Sequence, residues 1–401
     1  MQKAFKTAII GGGASGLMTA VELLSGEDAL SSGEVLILER NDRVGKKLIA
    51  TGNGQGNLLN HDFGVQFYHG DKEFISKFVD VYNKLNLKEY LENLGIPLTN
   101  GNAGKVYPLS RQASAVLDIL RNYLERKGCK TVTNAKVIDL KKQGENFIVK
   151  TENEEYFAEK VVLATGGSAG KQFGTDGSSY GLAKKFGHKL SELSPSLVQL
   201  KTNTDTIRGL KGLKEVCTVS LEENGKRIYS STGDLLFTDF GVSGNSIFQV
   251  SAYIEKNKEY FLNVEFLPEM TESEVAKLLT KRFNIDYFNS QDILSGIINK
   301  RIGQAVLKTV KDFTPKGIAY HLKRFKLKVT GDLGFNYAQV TKGGIYTDKI
   351  EPTTYESQLQ KGLYIVGEAL NVDGDCGGYN VSFAFVSGIS SAKDIKNKLT
   401  H

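Results

Sequence analysis

The sequence predicts an α/β protein in which a parallel-sheet domain, built from both ends of the chain, is interrupted by an antiparallel, barrel-like β insertion carrying a helical subdomain. Three observations predict it. A strand, glycine turn and helix open the chain over residues 6–24. Near Ser191 the texture changes, and short alternating strands with an Asn224-Gly225 turn replace buried apolar runs. After residue 337 the first texture returns, with the strand at 362–367 running into another glycine turn. The implied domains are 1–190 with 338–401, the β insertion at 191–269 with 322–337, and the helical subdomain at 270–321.

Lys6-Thr7-Ala8-Ile9-Ile10 is a short apolar run that feeds into Gly11-Gly12-Gly13-Ala14-Ser15-Gly16 and then an apolar helix. Gly11, Gly13 and Gly16 fit G-x-G-x-x-G. The first glycine permits a tight turn, the second lets the backbone approach a pyrophosphate, and the third lets the helix pack on the strand. Ala14 and Ser15 lie in the first helical turn, whose N–H groups and partial positive charge suit phosphate. The strand at 34–38 ends on Glu39, followed by Arg40. Glu39 lies 23 residues past Gly16, near the ~20 of a carboxylate that holds ribose hydroxyls. A turn that only packs a helix on a sheet leaves Glu39 unexplained, so a dinucleotide is expected here.

Four glycines fall within residues 45–57. A loop this rich in glycine lets backbone approach a flat or phosphorylated ligand. Its candidate contacts are Gly45, Lys46, Lys47, Thr51, Gly52, Asn53 and Asn57. Helical spacing follows over 73–94 and 114–127, closed by Gly95 and Gly128. Short strands are expected at 131–133, 135–140 and 147–150, with Val137 placed toward the nucleotide. The strand at 160–163 ends in Ala164-Thr165-Gly166-Gly167, a second close approach of backbone to the ligand. The loop at 175–179 then opens a helix at 180–186.

In the insertion, 216–221 and 226–229 flank Asn224-Gly225 as a hairpin, with further strands at 197–201, 235–237, 261–266 and 325–330. Residues 271–313 are expected to be helical, starting on an acidic turn. The returning strand ends on Gly367 and Glu368. Asp373 is the candidate for a polyol hydroxyl. Gly378, Tyr379, Asn380 and Val381 enter the last helix, expected at 381–388, and offer N–H groups to an electron-rich edge. Asp373 and Asp375 supply too few ligands for calcium.

At 401 residues, 40% hydrophobic and 24% charged, the chain suits two or three soluble domains. No stretch nears ~18 uninterrupted apolar residues, and no signal-peptide pattern opens the chain. Cys129, Cys217 and Cys376 form no C-x-x-C, which argues against a dithiol or zinc centre and for a reducing cytoplasm. The net charge of +6 is carried by dispersed lysines, so a solvated surface is expected rather than a nucleic-acid face.

Three glycine stations in one interrupted domain resemble the two-dinucleotide-binding-domain flavoproteins. Within them, Gly45-Lys46-Lys47-Leu48 with Thr51-Gly52-Asn53-Gly54, the run from Asp234 to Gly244, Val340-Thr341-Lys342-Gly343-Gly344 and Gly367-Glu368 through Asn380 resemble a bacterial family of aminoacetone-oxidase-like or BaiN-like NAD(P)/FAD-dependent oxidoreductases. The resemblance covers nearly the whole chain. It implies extended FAD, a barrel-like insertion, a helical subdomain and flavin-mediated hydride transfer to or from a small organic substrate entering between the domains. NAD(P)H, in the absence of a second G-x-G-x-x-G, would serve as a transient donor. Gln55-Gly56 stand where members usually carry Arg-Cys, so no role of those residues carries over. Tyr107, Arg111, His69 and His188 are the available acid–base groups, and none is singled out. Two rival readings are an RNA-modifying flavoprotein and a non-catalytic redox sensor. Oligomeric state is not legible.

Overall fold

The computed structural model describes residues 4–177 and 180–400. Ser178 and Ser179, in the loop expected to open a helix, lie outside the described residues. The chain divides into two units, Met1–Ser194 with Val340–His401, and Pro195–Gln339.

The first unit is built on five parallel strands in the order Lys130–Val132, Val35–Leu38, Phe5–Ile10, Glu155–Leu163, Leu363–Ile365. The central strands are apolar where they are covered on both sides: Val35–Leu38 and Leu363–Ile365 are buried throughout, as are the C-terminal ends of Phe5–Ile10 and Glu155–Leu163, whereas the edge strand Lys130–Val132 is largely exposed. Glu155–Leu163 does two jobs. Its C-terminal half lies between the first and last of these strands, while its N-terminal half pairs antiparallel with Asn146–Thr151, which in turn pairs Val137–Gln143. The strand therefore begins five residues earlier than the apolar run alone indicates.

The first helix, Ala14–Leu23, is buried along nearly its whole length. The C-terminal helix, Tyr379–Thr400, covers it and runs well past the expected 381–388. Gly388 makes this contact close, since a Cβ there would stand 2.5 Å from the Ser15 carbonyl oxygen and 2.9 Å from Thr19 Oγ1. At the far end Lys396 Nζ, buried, donates to Glu22 Oε1 at 3.0 Å and to Asp28 Oδ1 at 2.8 Å. Tyr90 donates to the other Glu22 oxygen at 2.8 Å.

The helical spacing at 73–94 resolves into two helices, Lys72–Leu85 and Leu87–Asn93. Asn86 breaks them at φ 47, and its side chain caps the second. Asparagine tolerates this left-handed geometry better than most residues, and its amide replaces a lost backbone partner.

The second unit is a closed six-stranded barrel in the order Leu200–Thr202, Gly241–Ser243, Lys226–Phe237, Lys214–Glu223, Tyr260–Phe266, Phe325–Asp332. Strict alternation along Tyr260–Phe266 sends every second residue inward. Val219, Phe237, Val264, Phe266 and Phe325 fill the interior. The segments at 226–229 and 235–237 are the two ends of one twelve-residue strand. Where one helical run over 271–313 was expected, two helices form, Glu272–Phe283 and Lys300–Leu307, and a third, Pro315–Lys323, follows beyond it. Thr271 and Glu274 make a reciprocal capping box on the first, and Thr314 with Pro315 starts the third.

Candidate functional site

The glycine turn sits at the C-terminal end of the first strand, where ligands of open α/β sheets bind. Each of its glycines has a different physical reason. Gly11 has φ 105, and a Cβ would stand 2.4 Å from the Ala164 carbonyl oxygen, so this glycine sets the turn against the neighbouring strand end. A Cβ on Gly16 would stand 2.0 Å from the Gly11 carbonyl oxygen, so that glycine seats the helix. Gly13 is different. Its φ of −83 suits any residue, and a Cβ there would meet nothing within 4 Å. It caps the first helix without a side-chain bond, an arrangement in which first-turn N–H groups such as those of Ala14, Ser15 and Gly16 suit an anion.

Glu39 is buried at the end of the second strand. Its Oε2 accepts from the Gly12 N–H at 2.8 Å, and its Oε1 accepts from the Asn41 backbone N–H at 2.8 Å and side-chain amide at 2.7 Å. Three of about four acceptor positions are thus filled, and the carboxylate is locked beside the turn. The Ala135 N–H donates to the Glu39 carbonyl at 2.9 Å, which brings Val137, two residues on, to the same edge. Arg40 pairs with Asp176 at 2.6 Å, and Lys46 with the exposed Asp42 at 2.7 Å.

The glycine-rich loop is tied back to the turn by Gly45, whose N–H donates to the Gly12 carbonyl at 2.8 Å. Thr51 Oγ1 donates to the Leu48 carbonyl at 2.7 Å, and Gly52 and Asn53 follow in left-handed geometry. Asn57 is buried, with its amide oriented by its neighbours. It donates to the carbonyls of Val106 and Leu59 and accepts from the Gly378 N–H at 3.2 Å. The Gly378 N–H is therefore already occupied.

A second network lies under the Ala164-Thr165-Gly166-Gly167 turn. Thr341 Oγ1 accepts from the N–H groups of Ser168 at 2.7 Å and Ala169 at 2.9 Å. The Thr341 N–H donates to Glu368 Oε1 at 2.9 Å, and Lys47 Nζ donates to Glu368 Oε2 at 2.5 Å. Gly167 must be glycine, because a Cβ would stand 2.4 Å from Thr341 Oγ1. Gly367 likewise passes Ser15, where its Cβ would stand 2.7 Å from Oγ. Lys47, Gly167, Glu368 and Ser15 thus lie in one connected cluster. Thr341, outside the candidate set, holds it together. The signal for it was its place in the Val340-Thr341-Lys342-Gly343-Gly344 run.

Asp373 lies in the short strand Val372–Gly374, opposite His69 on Tyr68–Gly70. Burial pushes its carboxyl up to about 6, against the pull of His69 and Lys342. His69 Nε2 meets Asp375 Oδ1 at 2.9 Å. Asn380 closes the acidic loop, accepting from the Gly374 N–H at 2.8 Å and donating to its carbonyl at 2.7 Å. Tyr379 stacks on Phe67 and donates to the Asp62 carbonyl at 2.9 Å, while Val381 is half-buried in the first turn. No cluster of three or more His, Cys, Asp or Glu able to hold a metal occurs among the described residues.

Of the acid–base candidates, His188 is buried on Ser357 Oγ at 2.7 Å, and burial lowers its pKa. Arg111 lies over the Tyr107 ring at 4.9 Å and reaches Gln55 Oε1 at 3.4 Å. Gly56 has φ 75, and a Cβ would stand 3.1 Å from Ala113 Cα, so a side chain here needs left-handed backbone and a shift of its neighbours by a few tenths of an ångström.

A profile described as the HI0933-like protein Rossmann domain matches residues 5–394. The chain belongs to the HI0933-like family. It is 34% identical, over 96% of its length and 97% of the relative's, to the 3-dehydro-bile acid delta(4,6)-reductase of Clostridium scindens. It is 24% identical to the ribosomal RNA dihydrouridine synthase of Haemophilus influenzae, over 99% of this chain and all of that one. Among solved structures, the 3-ketosteroid delta1-dehydrogenase of Sterolibacterium denitrificans shares the fold, with a TM-score of 0.53 at 12% identity over 98% of this chain and all of that one. This HI0933-like chain is an oxidoreductase with FAD as its cofactor. The turn fits that group: Gly13 leaves open space that the chain's own packing does not use. No helix among the described residues is long and apolar enough to cross a membrane.

Proposed function

We propose that this chain reduces a carbon–carbon double bond conjugated to a carbonyl in a small organic substrate, with NAD(P)H as a transient electron donor. The match to the Clostridium scindens enzyme over nearly both full lengths carries this reading. The names of that relative and of the dihydrouridine synthases describe one kind of chemistry, saturation of a double bond beside a carbonyl.

The residues divide the work of holding FAD. Gly11 to Gly16 and the first helix take the diphosphate, and Glu39 takes the adenosine ribose. Asp373 takes the ribityl chain, and the helix start beyond Gly378 takes the pyrimidine edge, where its dipole stabilises negative charge. Lys47, Glu368 and Thr341 hold the 165–169 backbone in place. Bound there, FAD supplies two-electron hydride chemistry. Saturation of the bond needs a hydride on the carbon β to the carbonyl and a proton on the α carbon.

The test is anaerobic. The yellow protein is mixed with NADH or NADPH, and the bleached protein is then given a 4,6-dien-3-one steroid. Re-oxidation of the flavin with a product two mass units heavier is the expected result. A flavin that neither nicotinamide bleaches, or that stays reduced in the presence of every conjugated carbonyl compound offered, refutes the reading.

A further inference from the structure

Arg111 ends a tight turn at 108–111, where its N–H donates to the Pro108 carbonyl at 2.8 Å, and its φ is 50. Glycine or asparagine adopts this left-handed geometry more readily than arginine, so the turn alone does not ask for arginine. The exposed guanidinium lies over the Tyr107 ring at 4.9 Å. Two of its N–H groups reach the Gln55 side-chain oxygen at 3.4 Å and the Asn100 carbonyl at 3.3 Å, both long bonds. Among the described residues it pairs with no carboxylate. A cation with five donors is thus held by a ring face and two weak contacts, and most of its donors stay open.

Its neighbours place it beside the cofactor residues. Tyr107 stands on the strand Lys105–Pro108, which pairs with Leu59–Asn60 and Leu98–Asn100. The Tyr107 ring rests against Gly52 of the glycine-rich loop, where a Cβ would stand 3.5 Å from it, and against Gly101, where a Cβ would stand 2.6 Å from it. Asn60 donates to the Gly377 carbonyl at 3.0 Å, and a Cβ on Gly378 would stand 2.6 Å from the Leu59 carbonyl oxygen. One small sheet thus joins Arg111 to two elements proposed to hold the flavin, the glycine-rich loop and the last helix start.

We propose that Arg111 is a catalytic residue whose guanidinium takes the substrate's carbonyl oxygen as that oxygen becomes negative. The inference rests on the proposed reduction. Hydride addition to the β carbon moves the double-bond pair toward the carbonyl carbon and the carbonyl π pair onto oxygen, which leaves an enolate. Open N–H donors on a fixed cation bind that oxygen more tightly than they bind the neutral carbonyl, and this difference lowers the barrier. The pair returns from oxygen as the α carbon takes a proton from water, and Arg111 keeps its own protons throughout. A carboxylate elsewhere on the substrate would use the same donors, but it would bind them equally before and during the reaction.

The test uses the FAD-loaded chain, reduced by one equivalent of dithionite and mixed without oxygen with androsta-4,6-diene-3,17-dione or cyclohex-2-enone. Ferricyanide, which takes electrons and forms no enolate, is the control acceptor. In Arg111→Gln the limiting rate of re-oxidation by the conjugated ketone is expected to fall about 100- to 1,000-fold. The half-saturating concentration, ferricyanide re-oxidation and FAD affinity should stay unchanged. Gln55→Arg added to Arg111→Gln brings a guanidinium back to the same place and should recover most of that loss. Arg111→Asn should lose the rate equally while its apoprotein melts no lower than the parent, because asparagine suits the left-handed turn. The inference is overturned by an unchanged limiting rate or by a loss shared with ferricyanide. A loss confined to the half-saturating concentration, the mark of a remote carboxylate, overturns it too. A parent chain that ferricyanide re-oxidises and neither ketone does refutes the reductase reading and this inference with it. A parent that turns over beside an equally fast Arg111→Gln refutes this inference alone.

Discussion

Replacing Gly11 and Gly13 by alanine, one at a time, separates a ligand-binding turn from a turn that only packs a helix. At Gly11 the added methyl stands 2.4 Å from the Ala164 carbonyl oxygen and 2.9 Å from its carbon, at φ 105. Overpacking of this kind costs about 1–3 kcal/mol, and left-handed backbone on a non-glycine residue about 1–2 more. The apoprotein should therefore lose about 2–5 kcal/mol and melt markedly lower. At Gly13 the methyl meets nothing and the backbone is ordinary, so apoprotein stability should move by about 0.5 kcal/mol or less. FAD affinity should fall instead. Losing one or two backbone bonds to a charged diphosphate costs about 1.5–3 kcal/mol, or roughly 10- to 100-fold. The assay is thermal melting of the apoprotein beside a flavin fluorescence titration. If Gly13→Ala melts as low as Gly11→Ala, or binds FAD as the parent does, the dinucleotide reading of this turn is wrong.

Three other perturbations have defined outcomes. Glu39→Ala leaves the Gly12 N–H without its acceptor; it should lower apoprotein stability by about 1–3 kcal/mol and FAD affinity at least tenfold, read by the same pair of assays. Lys396→Ala strips the cation from buried Glu22, and loss of one partner of a buried pair costs about 3–5 kcal/mol, measurable by urea unfolding. Asp373 gives a pH signature. Its folded pKa, about 6, lies above the unfolded one, so the native apoprotein holds the proton more tightly. Stability from this group is present below about pH 4 and is lost as pH rises through 6, by about 3 kcal/mol in all. The Asp373→Asn apoprotein should lack that decline, and parallel stability curves for parent and variant between pH 4 and 7 would contradict it.

The parts legible in the sequence were those whose physics is local. The glycine turn could be read because Gly11 and Gly16 are each forced by contacts within a few residues or with the neighbouring strand. The Asn224-Gly225 hairpin was legible because its turn needs residues that tolerate positive φ, and Asn224 and Gly225 have φ 50 and 76. Asn86 was not, because apolar spacing continues in register across the break. The Thr341 cradle, which binds N–H groups 172 and 173 residues away, leaves no periodic trace. Nor does Lys47–Glu368, separated by 321 residues. The Asn57 bond to Gly378 is of the same kind.

The discontinuity of the first unit sets an order of events during synthesis. Its fifth parallel strand, Leu363–Ile365, and the helix that covers Ala14–Leu23 both come from the last forty residues described. The last barrel strand, Phe325–Asp332, precedes that segment in the chain, so the barrel's residues are all made before it. Until it emerges, the nascent sheet exposes the open edge of Glu155–Leu163 and the bare face of the first helix. A growing chain in that state resembles an aggregation-prone intermediate. A truncation that removes only the terminal helix should therefore yield a chain that aggregates through its first unit.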